Sequence, residues 1–273
     1  MPMIGDFTQP PVDAAMPAVG TVWAAVFGCM VVVFLVAATI AWRRTGSPVG
    51  ILLLVGGALA VTNEVIIDEL GLIWHHAIGQ FTVFETFGRP IPLWVLFAHT
   101  AYFGGLTWLF VTYLHRRPTR AGIWKAVAAL LASNAALEIA ILATDVYSYY
   151  GHPPFSIGGF PLYFVLVNGG GVLLSAVTLV TVPELFAGQR RWAIPILPIG
   201  TQLGSAGLIG MPVFSALHTN QPRWVLWAAG SVTIAVGVLV FEFVIRFAVE
   251  RAGDSPREPE GDRRYTAEMV ASW

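Results

Sequence analysis

Long apolar runs alternate with short polar breaks from about residue 20 to residue 249. A membrane-crossing helix needs about 20 mostly apolar residues. Seven runs meet that length, at 20–42, 49–70, 92–115, 122–146, 160–186, 193–217 and 224–249. The breaks between them are rich in helix-ending and charged residues: Arg43-Arg44-Thr45-Gly46-Ser47-Pro48, Arg116-Arg117-Pro118, Gly151-His152-Pro153-Pro154, Gly188-Gln189-Arg190-Arg191 and Asn220-Gln221-Pro222. Pro and Gly interrupt helices, and charges hold loops in water. The pattern predicts an all-α polytopic membrane protein of seven transmembrane helices. A short segment, 1–19, precedes the bundle at 20–250, and a charged tail, 251–273, follows it and is expected to be disordered. No convincing internal repeat is visible, which weighs against an inverted-repeat transporter.

Composition agrees. Hydrophobic residues make up 56% of the chain and charged residues 11%, against about 25% charged in a soluble domain. A net charge of −1 gives no reason to expect nucleic acid as a partner. The single cysteine, Cys29, excludes an internal disulfide or a CxxC site. The first eighteen residues hold no Lys or Arg, so no basic signal-peptide region is expected there. Across the seven spans, thirteen Lys and Arg fall on one side, and only Arg89 and Arg223 fall on the other. The positive-inside rule then predicts an outer N-terminus and a cytoplasmic C-terminus in a multi-pass cell-membrane protein.

Ionisable groups within a bilayer are costly and face a bundle interior or cavity. Span 2 carries Asn63, Glu64, Asp68 and Glu69 in its outer half, with Glu64 and Asp68 four apart on one face. His75 and His76 follow. Span 3 brings in His99 and Phe103, span 4 Asn134, Glu138 and Asp145, span 5 Tyr163 and Asn168, and span 6 Gln202, Ser205 and His218. Five helices thus bring polar groups to one half of the membrane, while Glu242 of span 7 lies toward the other. Asn134, Asn168 and Gln202 equally suit interhelical hydrogen bonding, Asp145 and His218 an interfacial position, and Asp68 and Glu69 a solvated loop. The aromatic, polar segment 71–90, with Trp74, reads as an interfacial cap or an aromatic belt. If it is helical, Glu85 and Arg89 pair locally.

Some chemistries are excluded. A retinal Schiff base needs a lysine inside the bundle, and the only lysine, Lys125, lies at the cytoplasmic start of span 4. Paired Asp-rich magnesium–diphosphate motifs and a Gly-rich phosphate loop are both missing. A carboxylic acid buried in an apolar, aromatic-lined cavity fits a different reaction: protonating an alkene or epoxide, with ring faces stabilising the cation and dryness protecting it. Glu64 and Glu138 are the acids for such a site. Trp74, Phe103, Trp108, Tyr163, Phe164 and Trp227 lie on neighbouring surfaces.

The seven-span topology and the element Thr62-Asn63-Glu64 resemble the small integral membrane terpene cyclases of fungal meroterpenoid and indole-diterpene pathways and their bacterial relatives. That family carries an essential Glu on span 2 and an acidic residue on span 7. The resemblance implies Glu64 and Glu242, within Phe241-Glu242-Phe243, as the acids, and a lipophilic isoprenoid or prenylated substrate taken from the bilayer. It also implies cyclisation with no metal or redox cofactor. Asn63 departs from the Trp that often precedes the family's Glu, and Glu242 lies deep for a meeting with Glu64. Two other classes stay open. Asp68, His75, His76 and His99 offer N/O ligands for a metal-dependent membrane lipid hydrolase. Alternatively, Glu64 and Glu138 are titrating or structural groups of a carrier, proton-coupled transporter or assembly partner.

Overall fold

The computed structural model describes residues 9–254. Seven helices are long and apolar enough to cross a membrane: α1 Val19–Thr45, α2 Val49–Gly71, α3 Leu93–Leu114, α4 Arg120–Leu142, α5 Phe164–Thr181, α6 Ile196–Leu217 and α7 Arg223–Asp254. They fall on the seven predicted runs. The fifth is shorter than its apolar stretch, because Phe160–Pro161 is in a strand and Pro183–Phe186 in a 3-10 turn. Most of the charged tail lies outside the described residues.

Burial sorts the helices. The most apolar window of α5 is 67% buried and that of α1 only 11%, so α5 is central and α1 lies outermost with its apolar surface uncovered. Such a surface is expected where lipid is the solvent. Backbones touch where side chains are small. A Cβ on Gly57 of α2 would come within 2.5 Å of the Gly104 nitrogen of α3. The run Gly169-Gly170-Gly171 is likewise filled from outside by Leu131, Ser205, Phe103 and Gln202. These glycines serve close helix packing and leave no ligand space.

Three spans depart from α geometry: α2 passes through a 3-10 turn at Val61–Asn63, just before Glu64, and two others carry π turns. Thr100–Leu106 of α3 and Ala206–Gly210 of α6 are π-helical. Such widened turns are rare and recur at functional sites. One follows His99 directly, and the other follows Ser205.

The fold is helical within the bundle, but short antiparallel strands cap one end. β1 Ile73–His75 pairs with β4 Tyr147–Tyr149, β2 Thr82–Thr86 with β3 Arg89–Pro92, and β5 Ser156–Ile157 with β6 Phe160–Pro161. A bridge between Ala15 and Ile78 brings the segment before α1 to this same end. The 71–90 segment is therefore a cap, but not a helical one. Its hairpin sets Glu85 opposite Pro90, and Arg89 turns inward to Glu69, whose Oε2 it reaches at 2.6 Å. The expected Glu85–Arg89 pair does not form. Arg89 also donates to the Ile73 carbonyl at 2.5 Å and the Tyr150 hydroxyl at 2.7 Å, and lies over the Trp74 ring. One buried guanidinium thus ties α2, β1, β3 and the end of β4 together.

Candidate functional site

Left-handed residues turn the chain into the two strands that matter most. Leu72, with φ 55°, ends α2 and leads into β1; Asp145, with φ 57°, precedes β4. The register sets His75 directly opposite Tyr147 and Ile73 opposite Tyr149. Side chains alternate along a strand, so these four share one face, and all four line a cavity beneath the cap. The other face carries Trp74 and Tyr150 against Arg89, and His76 against Ser148.

The cavity encloses about 340 Å³. Its walls are mainly apolar and aromatic, with Phe27, Trp94, Tyr102, Phe103, Tyr149 and Phe164 among them. Into this lining open Glu64 of α2, His99 of α3, Asn134 and Glu138 of α4, and Asn168 of α5.

Glu64 stands between two imidazoles. One carboxylate oxygen lies 3.7 Å from His75 Nε2 and the other 3.1 Å from His99 Nε2. Asp68, one turn further along α2, approaches His75 Nε2 at 3.4 Å. The contacts to His75 exceed hydrogen-bond length, so that ring is held by charge and packing. Trp94 meets its edge at 5.4 Å between centroids. Burial alone would pull the His75 imidazole down, but Asp68 and Glu64 beside it raise it to about 10. At neutral pH it is an imidazolium between two carboxyl groups.

At His99, Nδ1–H donates to the Val95 carbonyl at 3.0 Å, leaving Nε2 facing Gln202 Nε2 at 2.9 Å and Glu64 at 3.1 Å. With Nδ1–H donating to Val95, the one lone pair on Nε2 accepts from the Gln202 amide. Gln202 is fixed in turn by Asn63, which donates to its Oε1 at 3.3 Å and to the Ile199 carbonyl at 2.7 Å.

Glu138 has different company. It accepts the Tyr147 hydroxyl, and Asn134 approaches its other oxygen at 3.5 Å. Asn168 reaches Asn134 at 3.4 Å. Burial first, and Glu138 second, push the Tyr147 phenol well above its ordinary value, so it remains a donor.

Of the predicted site residues, Glu64, Glu138, His99, Phe103 and Asn168 line one cavity. Asp68 stands behind it, 1% exposed, with Oδ1 lacking a hydrogen-bond partner. Trp74 faces away from the cavity, because it occupies the odd position between Ile73 and His75. Tyr163 is wholly buried beside Phe164, without cavity contact. Trp108 lines a separate crevice, and Trp227 is 48% exposed against Phe155. Glu242 lies apart from all of these. It is bound by Arg120, Arg246 and the Trp124 indole, away from the cavity. His76 is also elsewhere, against the Asp145 carbonyl at 2.7 Å. His218 lies near the Glu69 and Leu70 carbonyls that end α2. Sequence reasoning missed Tyr147 and Tyr149; the alternation in Tyr147-Ser148-Tyr149 was the available sign of a one-faced strand.

No family model, no curated protein and no solved structure matches this chain.

Proposed function

We propose that this multi-pass membrane protein is a cyclase of an isoprenoid or prenylated substrate, started by proton transfer from a buried carboxylic acid. One observation carries the reading: Glu64 and Glu138, from different helices, open onto a single apolar, aromatic cavity closed by a strand cap. In such a reaction a carboxylic acid protonates an alkene or epoxide, and π-bonds of the substrate close on the cation. A proton then leaves the final cation, so substrate and product are isomers. Glu64 is the proposed acid, because it opens onto the cavity and one of its oxygens meets His99 Nε2 at 3.1 Å. Glu138, hydrogen-bonded to Tyr147, is the second proton site and the candidate acceptor at termination. Phe103, Trp94, Tyr149 and Phe164 offer ring faces to intermediate cations. With the predicted orientation, the site faces the outer half of the cell membrane and receives its substrate from the bilayer.

The test is mass spectrometry of lipid extracts from wild-type cells, a deletion strain, and the deletion rescued with Glu64→Gln. Accumulation of a linear isomer in both mutant strains is expected. Unchanged lipids in all three strains would overturn the reading in favour of a carrier or assembly partner.

A second reading rests on its own observation. Glu64, Asp68 and His75 each present a ligand atom within 4.8 Å of the others, which suits a divalent cation and metal-assisted lipid hydrolysis. Stoichiometric metal in the purified protein, lost in Asp68→Asn, together with a mass change between substrate and product, would favour it over cyclisation.

A further inference from the structure

A second crevice, of about 520 Å³, lies at the end of the bundle opposite the cap, where α1 ends, α2 begins and α3 ends. Gly46 in a left-handed turn (φ 76°) stops α1, and three residues later α2 starts. A short link thus joins the two helices, and Trp108 of α3 packs onto Gly50, where a Cβ would come within 2.9 Å of the indole. Ala41, Val49, Val111 and Leu179 continue an apolar wall, while Thr45, Ser47 and Arg116 stand at its polar mouth.

Among the described residues, no carboxylate pairs with Arg43, Arg44, Arg116 or Arg117. Arg89, Arg120 and Arg246, by contrast, each have one. Burial pushes the neighbouring His115 down, so arginine supplies the fixed positive charge. An apolar wall with the Arg116 guanidinium beside it matches an amphiphile with an anionic head. The positive-inside orientation sets this mouth in the leaflet where such lipids concentrate.

We infer that this crevice binds an anionic phospholipid, its headgroup phosphate on Arg116 and one acyl chain along the wall formed by Ala41, Gly50, Trp108 and Leu179. The site is separate from the capped cavity and does not depend on the reaction performed there. Free inorganic phosphate shares the headgroup chemistry but lacks the chain, so the two sources separate experimentally.

The experiment uses the full-length protein in nanodiscs of phosphatidylcholine alone and of phosphatidylcholine with phosphatidylglycerol. Retained lipid is read by native mass spectrometry and stability by thermal unfolding. Wild type is expected to retain phosphatidylglycerol selectively and to melt higher in the mixed discs. Arg116→Gln, a surface change that leaves the helix packing intact, is expected to reduce that retention about fivefold, the effect of one basic residue at an anionic surface. Ala41→Phe, which fills the wall without altering charge, is expected to lose it as well. Millimolar phosphate added to phosphatidylcholine discs is expected to do nothing. Equal retention of both lipids by wild type, full retention by Arg116→Gln, or equal stabilisation by free phosphate would each overturn the assignment.

Discussion

Two carboxylates inside this membrane bundle look alike as residues and differ entirely as sites. Glu64 of α2 lines an apolar cavity, with one imidazole at 3.1 Å and another at 3.7 Å. Glu242 of α7 is clamped by two guanidiniums and an indole. Both are costly to place in a bilayer, and both suggest function on that ground alone. The difference lies in the partner. Arginine never gives up its proton, so a carboxylate between two of them remains an anion and ties α4 to α7. At Glu64 the partners are imidazoles, which leave the carboxyl group facing the cavity. An intramembrane acid is thus best judged by which cations the neighbouring helices bring to it.

This contrast is broken most directly by neutralising each acid in turn. Glu64→Gln is expected to lower product formation at least ~100-fold, the scale of a lost general acid. Glu242→Gln is expected to leave it within about threefold, because no reacting atom is near. Mass spectrometry of extracts from rescued deletion strains reads both, and the opposite ranking would reverse the assignment. A smaller effect is expected at the second proton site. Tyr147→Phe removes the hydroxyl that Glu138 accepts while preserving the ring beside His75. Losing one hydrogen bond to a carboxylate corresponds to a rate loss on the order of tenfold. Activity equal to wild type would remove Tyr147 and Glu138 from the proton path.

The bundle was legible because the bilayer imposes length: seven runs of adequate apolarity became seven helices. Much of the cavity was legible for a related reason. Glu64, His99, Glu138 and Asn168 are expensive at their depth, and cost brings them together. What was hidden depends on pairing between distant segments. Nothing local in Trp74-His75-His76 or Tyr147-Ser148-Tyr149 says that these stretches form one ladder, yet that register alone decides that His75 faces the cavity while Trp74 and His76 do not. The clamp on Glu242 was hidden because its partner Arg120 lies at the start of another helix, where depth arguments count it merely as a loop charge.

The cap itself offers a stability test of the same contrast. Arg89 is a buried cation that holds loops together, the structural counterpart of the His75 cation that faces the cavity. Arg89→Met leaves the Ile73 carbonyl and Tyr150 hydroxyl without their donor, while Glu69, mostly exposed, regains water. The expected cost is about 2–3 kcal/mol, the scale of hydrogen bonds from a charged group. Thermal unfolding in detergent would register it, and an unchanged midpoint would mean that the cap is held by its strands alone.

The finest discrimination comes from pH. His75 titrates near 6.5 when the chain is unfolded and is raised to about 10 in the folded protein. The folded state therefore binds the extra proton between those values. The stability contributed by His75 is complete below about pH 6.5 and is lost as pH climbs toward 10, by at most about 1.4 kcal/mol per pH unit. Wild type should thus lose thermal stability across that window more steeply than His75→Gln. A divalent cation on Glu64, Asp68 and His75 would reverse the sign, because a ligating imidazole must be neutral and acid would displace the metal. Stability that rises with pH, and that disappears with a chelator, would select the metal reading. A fall with pH, indifferent to chelator, would leave His75 as the cation that keeps Glu64 and Asp68 together beside the cavity.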